Sequence, residues 1–185
     1  PVRRVIDPKA YRAGQIKDLT DQIGVYALCD LDGVPIYVGQ SVDGIRSRVR
    51  RHLTSARSDI IANRMIDVWE IAYVKAWPVA DPSAIPALEA YLFATFDAQN
   101  QLMNGKAMTS DTDLSADLPA PQIVQVIAED ERQDRLRPAQ RLPRQIAHYL
   151  SLVDYIQTVK DERHLKRSLQ AHFDRLVAYH TTFLS

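Results

Sequence analysis

The side chains best equipped for chemistry are two tyrosines, Tyr26 and Tyr37, an arginine and a histidine four residues apart, Arg48 and His52, and one glutamate, Glu89. Phenols and imidazoles pass protons, although an unperturbed phenol has a pKa of about 10. A guanidinium offers an anion a planar fork of permanent charge. Glu89 is singled out by its neighbours: Ile85, Leu88, Leu92, Phe93 and Phe96 recur at helical spacing and form an apolar stripe around it. A carboxylate on such a stripe is costly unless it is paired or binds a cation. Two readings are therefore open at Glu89, a buried ion pair with Arg48 as partner, or a cation site.

The elements that must position these groups can be read from the pattern. Gly24 to Cys29 and Val34 to Val38 are short runs rich in Val, Ile and Tyr, separated by Asp32-Gly33, a strong hairpin signal. Pro35 cannot donate a ladder hydrogen bond, which predicts an edge strand or a bulge. Gly39 breaks the second strand, and Asp43 is expected to cap a helix carrying Ile45, Val49 and Leu53 on one stripe. Arg48 and His52 flank that stripe, so two phenols, a guanidinium and an imidazole should converge on one surface. Further on, 58–68 is expected to hold a helix with Ile60, Ile61, Met65 and Ile66 on its apolar side. Trp69 to Trp77 reads as a third strand, and a helix is predicted over about 83–97 with Ser83 as its cap and Pro86 in its first turn.

Gly24-Val25-Tyr26, Tyr37-Val38-Gly39, Arg48, His52, Glu89 and Asn104, in this order, resemble the signature of the GIY-YIG nuclease family. Val replaces Ile in both family triplets, a conservative change. Asn104, within Leu102-Met103-Asn104-Gly105, matches the family's closing phrase better than Asn100 does. The resemblance covers about 24–106. It implies an α+β fold, an α/β sandwich with a small three-stranded antiparallel sheet flanked by helices. It also implies hydrolysis of DNA with one divalent metal, Mg²⁺ or Mn²⁺. Carried over, the general base falls on Tyr26, the metal ligand on Glu89 and the phosphate-stabilising charge on Arg48. Tyr37 assists, and Asn104 supports the site by hydrogen bonding. An Arg with a His four residues later resembles the family's restriction endonucleases. His52 is expected either to take part in proton transfer or to be structural. Some family members carry another active-site group between the positions of His52 and Glu89, and none can be placed here.

Cutting a phosphodiester needs a deprotonated water, neutralised charge on phosphorus and help for the departing oxygen. Cations of the Mg²⁺ type prefer oxygen and keep several waters, so one carboxylate is an acceptable anchor. Gln40 and Ser41 after the hairpin, and Arg46, Arg50 and Arg51 on the outer helix face, are candidates for DNA contact. The reading is a metal-dependent DNA endonuclease of restriction or defence type. A mobile-element or repair nuclease, or a catalytically silent DNA-binding module on the same fold, are the alternatives.

Beyond the module, 107–121 reads as a Pro-containing linker and 122–185 as a helical extension, with 1–23 as a polar leader holding a short helix around 13–21. Gln122 to Ala128 alternates enough for a strand but also suits a helix start. The arginine run from Arg132 to Arg144 suits the DNA backbone, but nearby Asp130, Glu131 and Asp134 favour internal pairing. Two amphipathic helices then form a hairpin, expected to pack on the module or to make a dimer interface. The 185 residues have a formal net charge of +0, so any nucleic-acid contact must come from local patches rather than from an overall basic balance. The single cysteine, Cys29, excludes an internal disulfide and suits a reducing compartment. With no long apolar run, a cytoplasmic protein without membrane contact is expected. A double-strand cutter of this kind is expected to form a homodimer or to act twice.

Overall fold

The computed structural model describes residues 6–185; Arg3 and Arg4 of the leader lie outside the described residues. An antiparallel sheet forms the centre. Its strands are β1 (Gly24–Asp30), β2 (Pro35–Ser41), β3 (Ile71–Pro78) and β4 (Gln122–Gln125), in the spatial order β2-β1-β3-β4. The α+β sandwich stands, with one correction: the sheet has four strands, not three. The fourth is the segment that sequence could not assign to strand or helix. It pairs Val124 with Val74 and so brings the start of the 122–185 extension into the sheet.

Asp30 shapes the hairpin, accepting from the amides of Asp32 (2.9 Å) and Val34 (2.8 Å) through Oδ1. Pro35 sits where expected, on the edge strand, and the β1–β2 register shifts beside it between Leu28 and Cys29. Every residue of β1 is buried, because helices cover both faces of the sheet. Tyr26, Leu28, Ile36, Val74 and Ala76 join one core, and Val25, Ala27, Cys29, Val38 and Trp77 the other. Each fully buried Leu, Val or Ile contributes about 1.5–3 kcal/mol relative to exposure.

Helix α1 (Pro8–Ile16) starts earlier than expected, with Asp7 accepting from the Lys9 amide as its cap. Arg12 fixes the leader to the sheet. Its buried guanidinium donates to the carbonyls of Val68, Ile71 and Val126 and lies 4.2 Å from the centre of the Trp69 ring. Helix α2 (Ile45–Thr54) buries Ile45, Val49, His52 and Leu53. Its cap is Gly44, not Asp43. The first amides are met instead by the leader's backbone, Ile45 donating to Gln22 and Arg46 to Thr20. Helix α3 (Asp59–Ala62) is a single turn rather than the long helix predicted, because Arg64 adopts a left-handed φ of 55° and ends the helical path. A 3-10 turn (Val68–Glu70) precedes β3. A second (Pro82–Ala84), capped by Asp81 rather than Ser83, leads into α4 (Ile85–Gln99).

Helices α5 (Glu129–Leu136), α6 (Pro138–Thr158) and α7 (Arg163–Leu184) complete the chain. Pro143 does not interrupt α6. The arginine run is internally paired: Arg132 with Glu129, Arg135 with Glu131, Arg137 with Asp134, Arg141 with Glu70 and Asp32, and Arg144 with Asp67 and Glu70. The α6–α7 hairpin packs on the sheet, with Leu152, Ile156, Leu165 and Ala171 inside the larger core. No helix among the described residues is long and apolar enough to cross a membrane.

Candidate active site

Antiparallel register sets the two tyrosines. Tyr26 of β1 is paired with Gly39 of β2, and its ring lies across that glycine toward Tyr37. A Cβ at Gly39 would stand 2.5 Å from the Tyr26 hydroxyl and 3.0 Å from the Tyr37 ring, so only glycine admits the phenol there. The ring centres of Tyr26 and Tyr37 are 6.5 Å apart. His52, reaching up from α2, packs 6.0 Å from the first and 5.7 Å from the second.

The electrostatics of this trio follow from burial. Desolvation raises the Tyr26 phenol well above its ordinary value, with the charge and contact of Arg48 pulling the other way. Tyr37 is pushed up to about 12, by burial first and then by Asp59 and Glu89, again opposed by Arg48. His52 is driven down to about 4, mainly by burial against the pull of Asp59. Its imidazole is therefore neutral at neutral pH. His52 Nδ1 meets Ser58 Oγ at 2.8 Å, while its Nε2 is buried without a partner. Arg48 lies half-buried beside Tyr26, and its Nε is another buried donor left unmatched. Unmatched buried polar atoms are costly, and each calls for an explanation.

Glu89 comes from the opposite side of the sheet, on α4. Its stripe is as the spacing predicted, with Ile85, Leu88, Leu92 and Phe93 buried. The ion pair with Arg48 is not formed: among the described residues Glu89 has no ion-pair or hydrogen-bond partner, and desolvation alone raises its pKa. Asn104 clamps the exit from α4 to β2, accepting from the Val38 amide at 3.0 Å and donating to the Val38 carbonyl at 2.6 Å. Asn100 stands exposed at the helix end, away from this role. Tyr37, Glu89 and Asn104 line one cavity of about 850 Å³, which follows the open edge of β2.

Residues 22–103 match the model of the GIY-YIG catalytic domain. This part of the chain is a GIY-YIG domain. The fold is thus of the DNA-endonuclease type. No curated protein matches the chain.

The predicted DNA contacts separate on the structure. Gln40, Arg50 and Arg51 are exposed. Arg46 is tied to the leader, donating to the Leu19 carbonyl at 2.6 Å and lying 3.8 Å from Asp21. Ser41 is buried, and its hydroxyl donates to the Gly44 carbonyl. Arg46, Arg50 and Arg51 border a second concavity along α2.

A divalent cation fits the donors present. Glu89 is an unpartnered, half-buried carboxylate, and no group of three or more His, Cys, Asp or Glu side chains converges among the described residues. One carboxylate plus retained waters suits a hard cation of the Mg²⁺ type. Sequence reading missed Asp59, which lines the Glu89 cavity and lies 3.8 Å from His52 Nδ1. Its only sequence signal was a position following Ser58 at a helix start. The α6–α7 turn, which also reaches this cavity, lies outside the family match and had no signal at all.

Proposed function

We propose that the protein is a divalent-metal-dependent DNA endonuclease, with Mg²⁺ or Mn²⁺ as the ion and a restriction or defence role in the cytoplasm. The observation that carries it is Glu89, a carboxylate held on an apolar stripe with no cation of the protein to match it, in the cavity that also holds Tyr37. A bound divalent ion would neutralise charge on the phosphate and acidify a water. Glu89 would hold it. Arg48, whose Nε lacks a partner, supplies a fixed positive fork for the scissile phosphate. Burial raises the Tyr26 phenol, but the charge and contact of Arg48 oppose that rise, and with a bound cation beside it Tyr26 would be the group to take the proton of the attacking water. Tyr37, which lines the Glu89 cavity, orients that water by a hydrogen bond from its phenol. The water would add to phosphorus as one P–O ester bond breaks, the water's proton passing to Tyr26 and the departing oxygen taking a proton from solvent. His52, neutral and buried between both rings, fixes their positions.

Plasmid and single-stranded DNA incubated with Mg²⁺, Mn²⁺ or EDTA test this reading. Discrete metal-dependent fragments are the expected product, and end mapping gives the recognition site. A nicked or smeared product keeps the chemistry and removes the restriction role. Retention of DNA without cleavage under any ion sinks the nuclease reading and leaves a binding module. Double-strand cutting by a chain with one such site calls for a homodimer or two successive events, which sedimentation on DNA distinguishes.

A further inference from the structure

One wall of the Glu89 cavity is built from outside the GIY-YIG domain. Asp161, Glu162, Arg163 and His164, at the passage from α6 to α7, line the same space as Tyr37, Glu89 and Asn104. The position of this wall is fixed by close contacts with the segment that closes the domain. Ser168 Oγ donates to the Met103 carbonyl at 2.6 Å, and Arg167 pairs with Asp97 at 2.5 Å. His164 lies against Gly105, where an added Cβ would stand 2.6 Å from the histidine Cβ. Gly105 follows Asn104 directly, so the imidazole is seated beside the clamp that holds β2.

The chemistry of His164 differs from that of His52. His164 Nδ1 is 2.8 Å from Glu162 Oε2, and the ring is about a third exposed. Its Nε2 has no hydrogen bond among the described residues, whereas His52 is enclosed by both tyrosines. A carboxylate on one ring nitrogen orients the ring and aims the other nitrogen, as in the supporting shells of many sites. The acids of the turn are also matched, Glu162 by Lys160 at 3.1 Å and Asp161 by Lys166 at 2.6 Å, so they do not confront a phosphate unscreened.

Resting on the nuclease reading, we propose that His164, oriented by Glu162, binds a backbone phosphate of the DNA strand lying in the Glu89 cavity. The ring then bridges two anions, giving one N–H to the Glu162 carboxylate and the other to a phosphate oxygen. The α6–α7 hairpin thus belongs to the substrate site and is more than a brace for the sheet.

The test compares full-length wild type, His164→Ala, His164→Lys and Glu162→Ala, each combined with Glu89→Gln so that DNA stays intact, by titrating a DNA duplex at several salt concentrations. Removing one phosphate contact lowers the slope of log affinity against log salt by about 1. His164→Ala is expected to show that drop, with affinity weaker by about tenfold at low salt. His164→Lys restores the slope, because it keeps a cation at the site. Glu162→Ala falls between, because the ring loses its orientation. With Glu89 intact, His164→Ala raises KM and leaves kcat within about threefold. Unchanged slope and affinity in His164→Ala, or a loss confined to kcat, overturns the proposal. His164→Lys and Glu162→Ala keep it decidable if the alanine variant does not fold. A wild type that binds DNA but never cuts defeats the nuclease reading alone, and the salt slopes still decide His164. A wild type that binds no DNA defeats both.

Discussion

Glu70 and Glu89 are both carboxylates withdrawn from water on a frame of apolar side chains, and they are treated in opposite ways. Glu70 is 2% exposed and enclosed by cations: Arg141 lies 2.5 Å from one oxygen, Arg144 meets the other, and Gln145 donates as well. Burial raises its pKa while both arginines pull it down. Around it Arg175 reaches Asp30 and Arg141 reaches Asp32, so the charges of this cluster are consumed inside the protein. Glu89 has desolvation without a counter-charge, and that sets it apart, because buried nitrogens without a partner occur in both clusters, at Arg48 and His52 and at Arg175. A satisfied network holds elements together. A carboxylate left without a counter-charge is suited to a ligand that completes it, and Arg48, His52 and Glu89 gather around the two tyrosines of the triplets. The two clusters therefore separate a carboxylate whose charge is met inside the protein from one whose charge is left open.

The sharpest way to break this contrast is to neutralise each glutamate in turn. Glu89→Gln should reduce cleavage by about 10³-fold, the scale seen when one group that stabilises transition-state charge is removed. Its melting temperature should hold or rise, since a desolvated carboxylate with no partner is removed. Single-turnover cleavage and a thermal melt on the same sample read both effects. Cleavage persisting near wild-type rate would show that Glu89 is not the metal anchor. Glu70→Gln should do the reverse. Two arginines lose their counter-charge in a buried site, a change that costs about 3 kcal/mol. Urea unfolding measures that loss, and the folded fraction should still cut at the wild-type rate.

The histidines carry a similar contrast in pH. His52 and His172 are both lowered to about 4 by burial, with His172 Nε2 against the Met65 carbonyl at 2.8 Å. Between an unfolded value of about 6.5 and a folded value of about 4, the unfolded chain binds protons that the folded chain does not. Their contribution is thus complete above pH 6.5 and declines as pH falls toward 4. His172→Gln should flatten that decline by roughly 2 kcal/mol at pH 4.5, measured as the difference between its urea midpoints and those of wild type. An unchanged pH profile would mean that His172 is not held neutral.

How much of this could be read beforehand depends on how local each cause is. The hairpin, α2 and the stripe around Glu89 follow from spacing within a few residues, and the structure keeps them, except that β2 runs on through Gly39 to Ser41 instead of breaking there. Ile60, Ile61, Met65 and Ile66 have helical spacing, yet the path turns at Arg64, so α3 is shorter than that spacing predicts. β4 was ambiguous because Gln122–Gln125 is too short to show a period, and only its pairing with β3 decides it. The partner of Glu70 lies far along the chain at Arg141, and His164 reaches Gly105 from the last helix. Such contacts are made by tertiary packing, which no local spacing encodes. The Asn104 clamp on Val38 is equally remote in sequence, and there only the resemblance to a known domain supplied the expectation.

The smallest effect expected distinguishes cations already used from cations left free on one helix face. Arg46 is held by the Leu19 carbonyl and Asp21, whereas Arg50 and Arg51 are exposed and have no ion pair among the described residues. Surface charges of this kind add little to stability. Arg50→Ala and Arg51→Ala should therefore melt like wild type, while each weakens DNA binding a few-fold and lowers the salt slope by about 1 if it meets a phosphate. Arg46→Ala should leave the slope unchanged and lower the melting temperature slightly, because it releases the leader from the start of α2. A filter-binding series in salt beside thermal melts separates the three. A slope change at Arg46 with none at Arg50 and Arg51 would move the DNA path off this face of α2 and toward the leader.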